Sequence, residues 1–179
     1  MYPFIRLAKT FLTAGRATPL DILGVHVSHH RCWPQDLDMF MEMNNGRVLT
    51  IFDLGRFGLA ARTGLTALLR REKWGLAVAG GSTRYRKRIL PFARFEMRTR
   101  CAGWDARFFY MEQTIWLGNT CAAQTLLRTC VTDKAGIVPS DRALAALGSD
   151  VASPELPAWV QNWITAEDTR VWPPQDVRS

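Results

Sequence analysis

The feature that most restricts this chain is a proline-free stretch over residues 46–71. Within it, Arg47-Val48-Leu49-Thr50-Ile51-Phe52-Asp53-Leu54-Gly55-Arg56-Phe57-Gly58-Leu59 is apolar around most of a helical circumference. A surface helix keeps one apolar stripe and one polar face, so a helix that is apolar nearly all round has to be covered on several sides. Its polar members, Arg47, Thr50, Asp53 and Arg56, recur every three positions. At 3.6 residues per turn they sweep around the helix instead of sharing a solvent face, and each needs a partner. Asn44 or Asn45 supplies the N-cap, its side chain accepting from a free N–H of the first turn.

Extended segments flank that helix. Residues 24–33 alternate, with Val25, Val27 and His29 on one side, and end at Pro34, which predicts a first strand and then a loop. After Trp74 the spacing predicts strands over 77–89, 92–101, 107–117 and 121–132, broken at Pro91, Gly103-Trp104-Asp105 and Gly118-Asn119, and run as a meander. In the third of these, Phe109, Met111, Gln113, Ile115 and Leu117 alternate with Phe108, Tyr110, Glu112, Thr114 and Trp116, so both faces of the sheet require cover. One face lies on the helix and the other on the tail or a second subunit. At 179 residues and 47% hydrophobic, the chain can bury one substantial core but not two. Residues 4–12 place Phe4, Ile5, Leu7, Ala8, Phe11 and Leu12 around Arg6 and Lys9, the pattern of a short amphipathic helix that packs on its own domain or on a partner. It is too short to span a bilayer. The tail over 140–179 holds an Ala/Leu helix at 143–147 among four prolines.

The most informative stretch is Asp36-Leu37-Asp38-Met39-Phe40-Met41-Glu42-Met43-Asn44-Asn45-Gly46, carboxylates in a loop directly before the helix. It resembles the signature of hydroxybenzoyl-CoA thioesterase-like hotdog proteins, in which D-x-D is followed by H-x-N-N and then the central helix. Asp36 and Asp38 match, as do Asn44 and Asn45. The resemblance runs from about Val25 to Thr132, through Arg84-Tyr85-Arg86-Lys87-Arg88 and the Gly103-Trp104-Asp105 turn. Glu42 stands where the family often has histidine and Val48 where tyrosine is common; these departures bear on activity more than on fold. The resemblance implies an α+β hotdog fold, a long central helix wrapped by an antiparallel sheet of about five strands. The division expected is an amphipathic segment over 1–20, the hotdog domain over 21–139, and an extension over 140–179 packed on the domain or a partner subunit.

By that resemblance the chain is an acyl-CoA thioester hydrolase. Thioester cleavage needs attack on the carbonyl, by a base-activated water or directly by a carboxylate, with donors for the developing oxyanion. Asp38 is the implied base or nucleophile. Backbone N–H groups near Asn45 and Gly46, at the positive end of the helix, are the implied donors, with Asn44 beside them. Asp36 reads better as a structural carboxylate. Glu42 either positions substrate in place of the usual histidine, acts as the carboxylate itself, or is solvated. Asp53 is either a second catalytic acid or half of an i,i+3 ion pair with Arg56. On a strand, Arg84, Arg86 and Arg88 project to one face, a basic strip suited to coenzyme A phosphates or to guarding an edge. Gly80 and Gly81 either admit a pantetheine arm close to the backbone or mark a bulge.

No cofactor is expected beyond the coenzyme A of the substrate. His26 and His30 fall on one strand face and His29 on the other, with no clear fourth ligand, so no metal is expected. A net charge of +7 suits anionic partners but names none. Nucleic acid is not expected, since no recognisable binding module accompanies the charge. The resemblance implies a homodimer or a dimer of dimers, with the site at the subunit interface. Cys32, Cys101, Cys121 and Cys130 lack C-x-x-C spacing and Lys9 interrupts the first apolar run, which favours a cytoplasmic protein with reduced thiols and no stable membrane insertion. The alternative function is a non-catalytic acyl-thioester binding protein.

Overall fold

The computed structural model describes residues 2–171, 173 and 174. Met1, Trp172 and 175–179, parts of the two expected terminal segments, lie outside the described residues. In chain order the elements are α1 (Phe4–Ala14), β1 (His26–Arg31), a single 3-10 turn at Pro34–Asp36, α2 (Asn45–Arg62), α3 (Leu65–Glu72), β2 (Gly75–Tyr85), β3 (Arg94–Trp104), β4 (Phe109–Leu117), β5 (Thr120–Asp133), β6 (Gly136–Val138), α4 (Ser140–Leu147) and α5 (Ala158–Asp168). The strands form one antiparallel sheet in the order β1-β3-β4-β5-β2, with β6 added to the end of β5. This is the expected α+β hotdog: a curled sheet of five main strands around a central helix.

Ile51, Phe52 and Leu54 of α2 are fully buried and pack with Met97, Ile115 and Phe95 of the sheet and with Cys32. The helix can sit this low because Gly55 and Gly58 face the sheet. A β-carbon at residue 55 would collide with Thr99 Oγ1 and Met97, and one at residue 58 with the ring of His26. The outer face of the sheet is covered by α5, where Tyr110 and Leu126 pack against Val160, Trp163 and Ile164. The C-terminal tail thus supplies the second cover at the Tyr110 end of β4, while further along that face Glu112 and Trp116 are met by Arg100 and Arg98 of β3.

Four expectations need correction. The helix predicted over 46–71 is two helices, because the chain turns at Gly64, whose φ of 80° ends α2 and starts α3. The four strands after Trp74 are not a simple meander: only β3-β4-β5 is one, while β2 crosses to pair with β5 and leaves the outer side of β3 to β1. The strand predicted to reach residue 89 stops at Tyr85, since the Arg86 and Lys87 amides both donate to the Ala122 carbonyl, at 2.8 and 3.1 Å, which breaks the alternation. Finally, α1 lies along α2 but turns Arg6, Leu7, Thr10 and Ala14 towards the protein and leaves Phe4, Ile5 and Leu12 exposed. The cause is a salt bridge: Arg6 is drawn inwards by Asp36.

Candidate active site

Three segments meet at the N-terminal end of α2. Asn44 caps the helix, its Oδ1 accepting from the Gly46 amide at 2.8 Å and the Arg47 amide at 3.3 Å. The Asn44 amide donates to the Asp36 carbonyl and the Met43 amide to the Ile89 carbonyl, both at 2.9 Å, so the approach to the helix is tied on two sides. Beneath it lies the buried Asp36 carboxylate. Its Oδ2 accepts from Arg6 at 2.6 Å and from the Trp33 amide at 2.8 Å, while its Oδ1 meets Arg47 Nε at 3.3 Å. Asp36 therefore joins α1, the loop and α2.

Asp38 stands differently. Its backbone N–H donates to the Glu42 carbonyl at 2.9 Å and its carbonyl accepts from Met41 at 3.1 Å, closing a tight turn. The side-chain Oδ1 accepts from the Phe40 amide at 2.8 Å, which fixes the carboxylate in a partly exposed position. Glu42, in the same turn, pairs with Arg88 Nε at 2.8 Å. Of the helix donors, the Gly46 amide expected to face substrate is already held by the Asn44 cap. The Asn45 amide has no partner among the described residues.

Of the remaining predicted residues, the structure ties only Arg88 to the Asp38 turn, through Glu42. Only Arg84 of the three arginines lies in β2; Arg86 and Arg88 follow the strand, exposed, beside the α2 terminus, where Tyr85 Oη approaches the Asn45 carbonyl at 3.5 Å. Gly80 and Gly81 follow the register shift of the β2–β5 ladder between Val78 and Gly80, and pair with Arg128 and Leu127. A β-carbon on Gly80 would meet Trp163 and Glu167 of α5 at 3.7 to 3.9 Å, and one on Gly81 would strike Leu127. These glycines adjoin a bulge at Ala79 and fit under neighbouring chain.

Asp53 lies two turns further along α2, about 10 Å from Gly46 by helix rise. It makes the i,i+3 ion pair with Arg56. Arg56 also donates to Gln113 Oε1 at 2.7 Å, and the fully buried Gln113 amide donates in turn to the Phe52 carbonyl at 2.7 Å and Thr99 Oγ1 at 2.9 Å. Burial lowers the Arg56 pKa, opposed by the charge of Asp53. Sequence reading missed this network, although a glutamine between Met111 and Ile115 on a buried face was a signal that something polar awaited it. The Asp53–Arg56 pair borders an apolar cavity of about 250 Å³ between α2 and the β2, β4 and β5 strands, lined by Leu59, Val78, Phe109, Met111 and Leu144 among others.

His26 and His30 are held neutral, with pKa values lowered to about 4 by burial, then by Arg62 for His26 and first by Arg6 for His30. Among the described residues no three of His, Cys, Asp and Glu cluster in a way that could hold a metal.

Against known families, residues 32–164 match the thioesterase-like superfamily. The chain belongs to that superfamily. Among the relatives of this thioesterase-like chain, protein THEM6 of Xenopus laevis is 32% identical over 169 residues, which is 93% of this chain and 80% of that protein. Protein THEM6 of Danio rerio is 38% identical over 93 residues, 52% of this chain and 46% of that protein. Solved structures with the same fold include a probable thioesterase from Bartonella henselae, with a TM-score of 0.59 at 20% identity over 65% of this chain and 97% of that one. A gentisyl-coenzyme A thioesterase structure aligns with a TM-score of 0.61 at 15% identity over 67% of this chain and 99% of that one. Within the superfamily, this member keeps Val48 fully inside the core, and Glu42 faces an arginine.

Proposed function

We propose that this thioesterase-like protein hydrolyses an acyl-CoA thioester at the N-terminal end of α2, with Asp38 as general base or nucleophile. The observation that carries the reading is the division between the two loop aspartates. Asp36 is buried and committed to Arg6, Arg47 and the Trp33 amide, whereas Asp38 is held by a single amide and reaches solvent. As base, Asp38 takes a proton from water as the oxygen attacks the thioester carbonyl carbon; as nucleophile, its own oxygen attacks and water later cleaves the resulting anhydride. In both routes the C–S bond breaks, the thiolate of coenzyme A leaves, and the products are the free acid and coenzyme A. The Asn45 amide at the positive end of α2 is the proposed donor to the oxyanion. Arg84, Arg86 and Arg88 are the proposed contacts for coenzyme A phosphates, and the apolar cavity alongside α2 is the proposed acyl pocket. Asp53 is read as the partner of Arg56.

The β2 strand is an edge of the sheet with Leu76 and Val78 exposed. An uncovered edge of this kind supports a homodimer, because unpaired strand groups and exposed apolar side chains are both relieved by a second copy. No helix among the described residues is long and apolar enough to cross a membrane. The free cysteines support a reducing, cytoplasmic setting.

The test is release of free coenzyme A from short-, medium- and long-chain and aromatic acyl-CoAs. Asp38→Asn is expected to lower turnover at least about a hundredfold with the melting temperature unchanged, and near-normal turnover would sink the assignment. The pairing of Glu42 with Arg88, in a loop without histidine, favours a second reading, an acyl-thioester binding protein. That reading stands if folded wild type binds acyl-CoA but turns over none of the panel.

A further inference from the structure

The turn that holds Asp38 also carries the longest run of exposed large apolar side chains among the described residues. Met39 is 86% exposed, Phe40 69% and Met41 60%, and close by Leu90 and Phe92 are each 55% exposed. These tips belong to one surface. The Met43 amide bonds the Ile89 carbonyl at 2.9 Å, the Phe92 amide bonds the Cys32 carbonyl at 2.8 Å, and the Trp33 and Phe92 rings meet edge-on at 6.4 Å. Met41 and Phe92 both adopt positive φ, 57° and 61°, a conformation that bulky residues rarely take. Two turns thus hold large apolar side chains outwards, where water penalises them.

The border of this patch is positive. Arg31 and Arg94 face each other as the last register pair of the β1–β3 ladder, like charges set where an ion pair would have been favourable. Arg31 also lies over the Trp33 ring at 5.5 Å. Arg86, Lys87 and Arg88 lead into Leu90. Across residues 31–45 and 84–94, the six cations Arg31, Arg84, Arg86, Lys87, Arg88 and Arg94 stand against three carboxylates, Asp36, Asp38 and Glu42. Two of those carboxylates are neutralised locally, Asp36 by Arg6 and Arg47 and Glu42 by Arg88.

We propose that this end of the molecule docks on an anionic phospholipid surface. The apolar tips enter the boundary between headgroups and acyl chains while the surrounding arginines and lysine meet lipid phosphates. Convex turn tips bearing flexible methionines suit a fluid apolar phase, which needs no shaped pocket on the other side. The mutual repulsion of Arg31 and Arg94 is relieved by negative charge and not by a second copy of the same basic rim. This docking does not rest on thioester hydrolysis, but it draws on Arg84, Arg86 and Arg88, the cations also proposed for coenzyme A, so the two phosphate ligands compete for them.

The experiment is co-sedimentation of the full chain with vesicles of phosphatidylcholine alone and with phosphatidylglycerol added. Binding is expected to the anionic vesicles, to weaken with added salt, and to be weaker for the neutral ones. The double variant Met41→Asn/Phe92→Asn, chosen because asparagine accepts positive φ, is expected to weaken binding by at least about tenfold. Should that variant fail to fold by circular dichroism, Met39→Ser is expected to weaken binding by about threefold. Absence of binding by folded wild type, equal binding by a folded variant, or equal binding to neutral and anionic vesicles overturns the proposal. So does light scattering that shows the variant dissociating a wild-type oligomer, which would make the patch a subunit interface.

Discussion

Replacing Asp36 by asparagine removes one charge from a carboxylate that is 1% exposed and leaves two arginines facing it, each with a side chain 16% exposed. Arg6 keeps a long contact from Nη2 to the Arg31 carbonyl at 3.4 Å, while its Nη1 is already buried without a hydrogen-bond partner among the described residues. Arg47 keeps a long contact to the Gln35 carbonyl at 3.5 Å. Removing one member of a buried charge pair costs about 3–5 kcal/mol, most of it the penalty of stranding the other charge. Both arginines can reach some water, and the asparagine oxygen can still accept from the Trp33 amide, so the lower end applies, about 3 kcal/mol. For a chain of this size that corresponds to a fall in melting temperature of about 6–12 °C. Urea unfolding followed by tryptophan fluorescence reads the same quantity as a lower midpoint at unchanged slope. A loss below about 1 kcal/mol would show that Asp36 does not clamp α1, the loop and α2 together, and the structural assignment of this aspartate would fail.

Two further outcomes are expected from other parts of the structure. Asn44→Ala removes the acceptor for the Gly46 and Arg47 amides and should cost about 1 kcal/mol in urea unfolding, largely restored by Asn44→Asp; no loss would mean that the cap is dispensable. His26 and His30 have folded pKa values of about 4, below the ordinary histidine value, so the unfolded chain binds more protons as the pH falls. Their contribution is fully present above about pH 6.5 and is lost towards pH 4, amounting to up to about 2 kcal/mol for each between pH 7 and 5. Equal urea midpoints at pH 7 and pH 5 would refute it.

The parts of this fold that could be read from sequence are those whose signal is local. The α2 start was legible because Asn44 caps its own helix, and the β4 strand because large side chains alternate on both of its faces. The α5 helix was legible in principle and left unassigned: Trp159, Val160, Trp163 and Ile164 fall at helical spacing after Pro157, in a tail interrupted by prolines. The exchange of neighbours in the sheet had no local signal. Whether β2 pairs with β3 or crosses to β5 depends on contacts between residues far apart in sequence, from Tyr85 with Ala123 to Gly75 with Thr132, and alternation within a strand is silent on its partner.

The candidate site divides along the same line. Asp36 and Asp38 are two residues apart and chemically identical, so only their partners separate a clamp from a candidate catalyst. The partner that decides it, Arg6, is thirty positions away on α1, and nothing in the local pattern of that helix points to Asp36. Once Asp36 claims Arg6, α1 is rotated so that Phe4, Ile5 and Leu12 face outwards, and the loop is pinned at its root. A pinned root is what allows the following turn to hold Asp38, Met39, Phe40 and Met41 in a fixed, exposed arrangement. One buried ion pair therefore couples the stability of the amino-terminal helix to the geometry of the loop that would meet substrate. On this argument Asp36→Asn and Asp38→Asn should separate cleanly, the first read in the unfolding midpoint and the second in turnover.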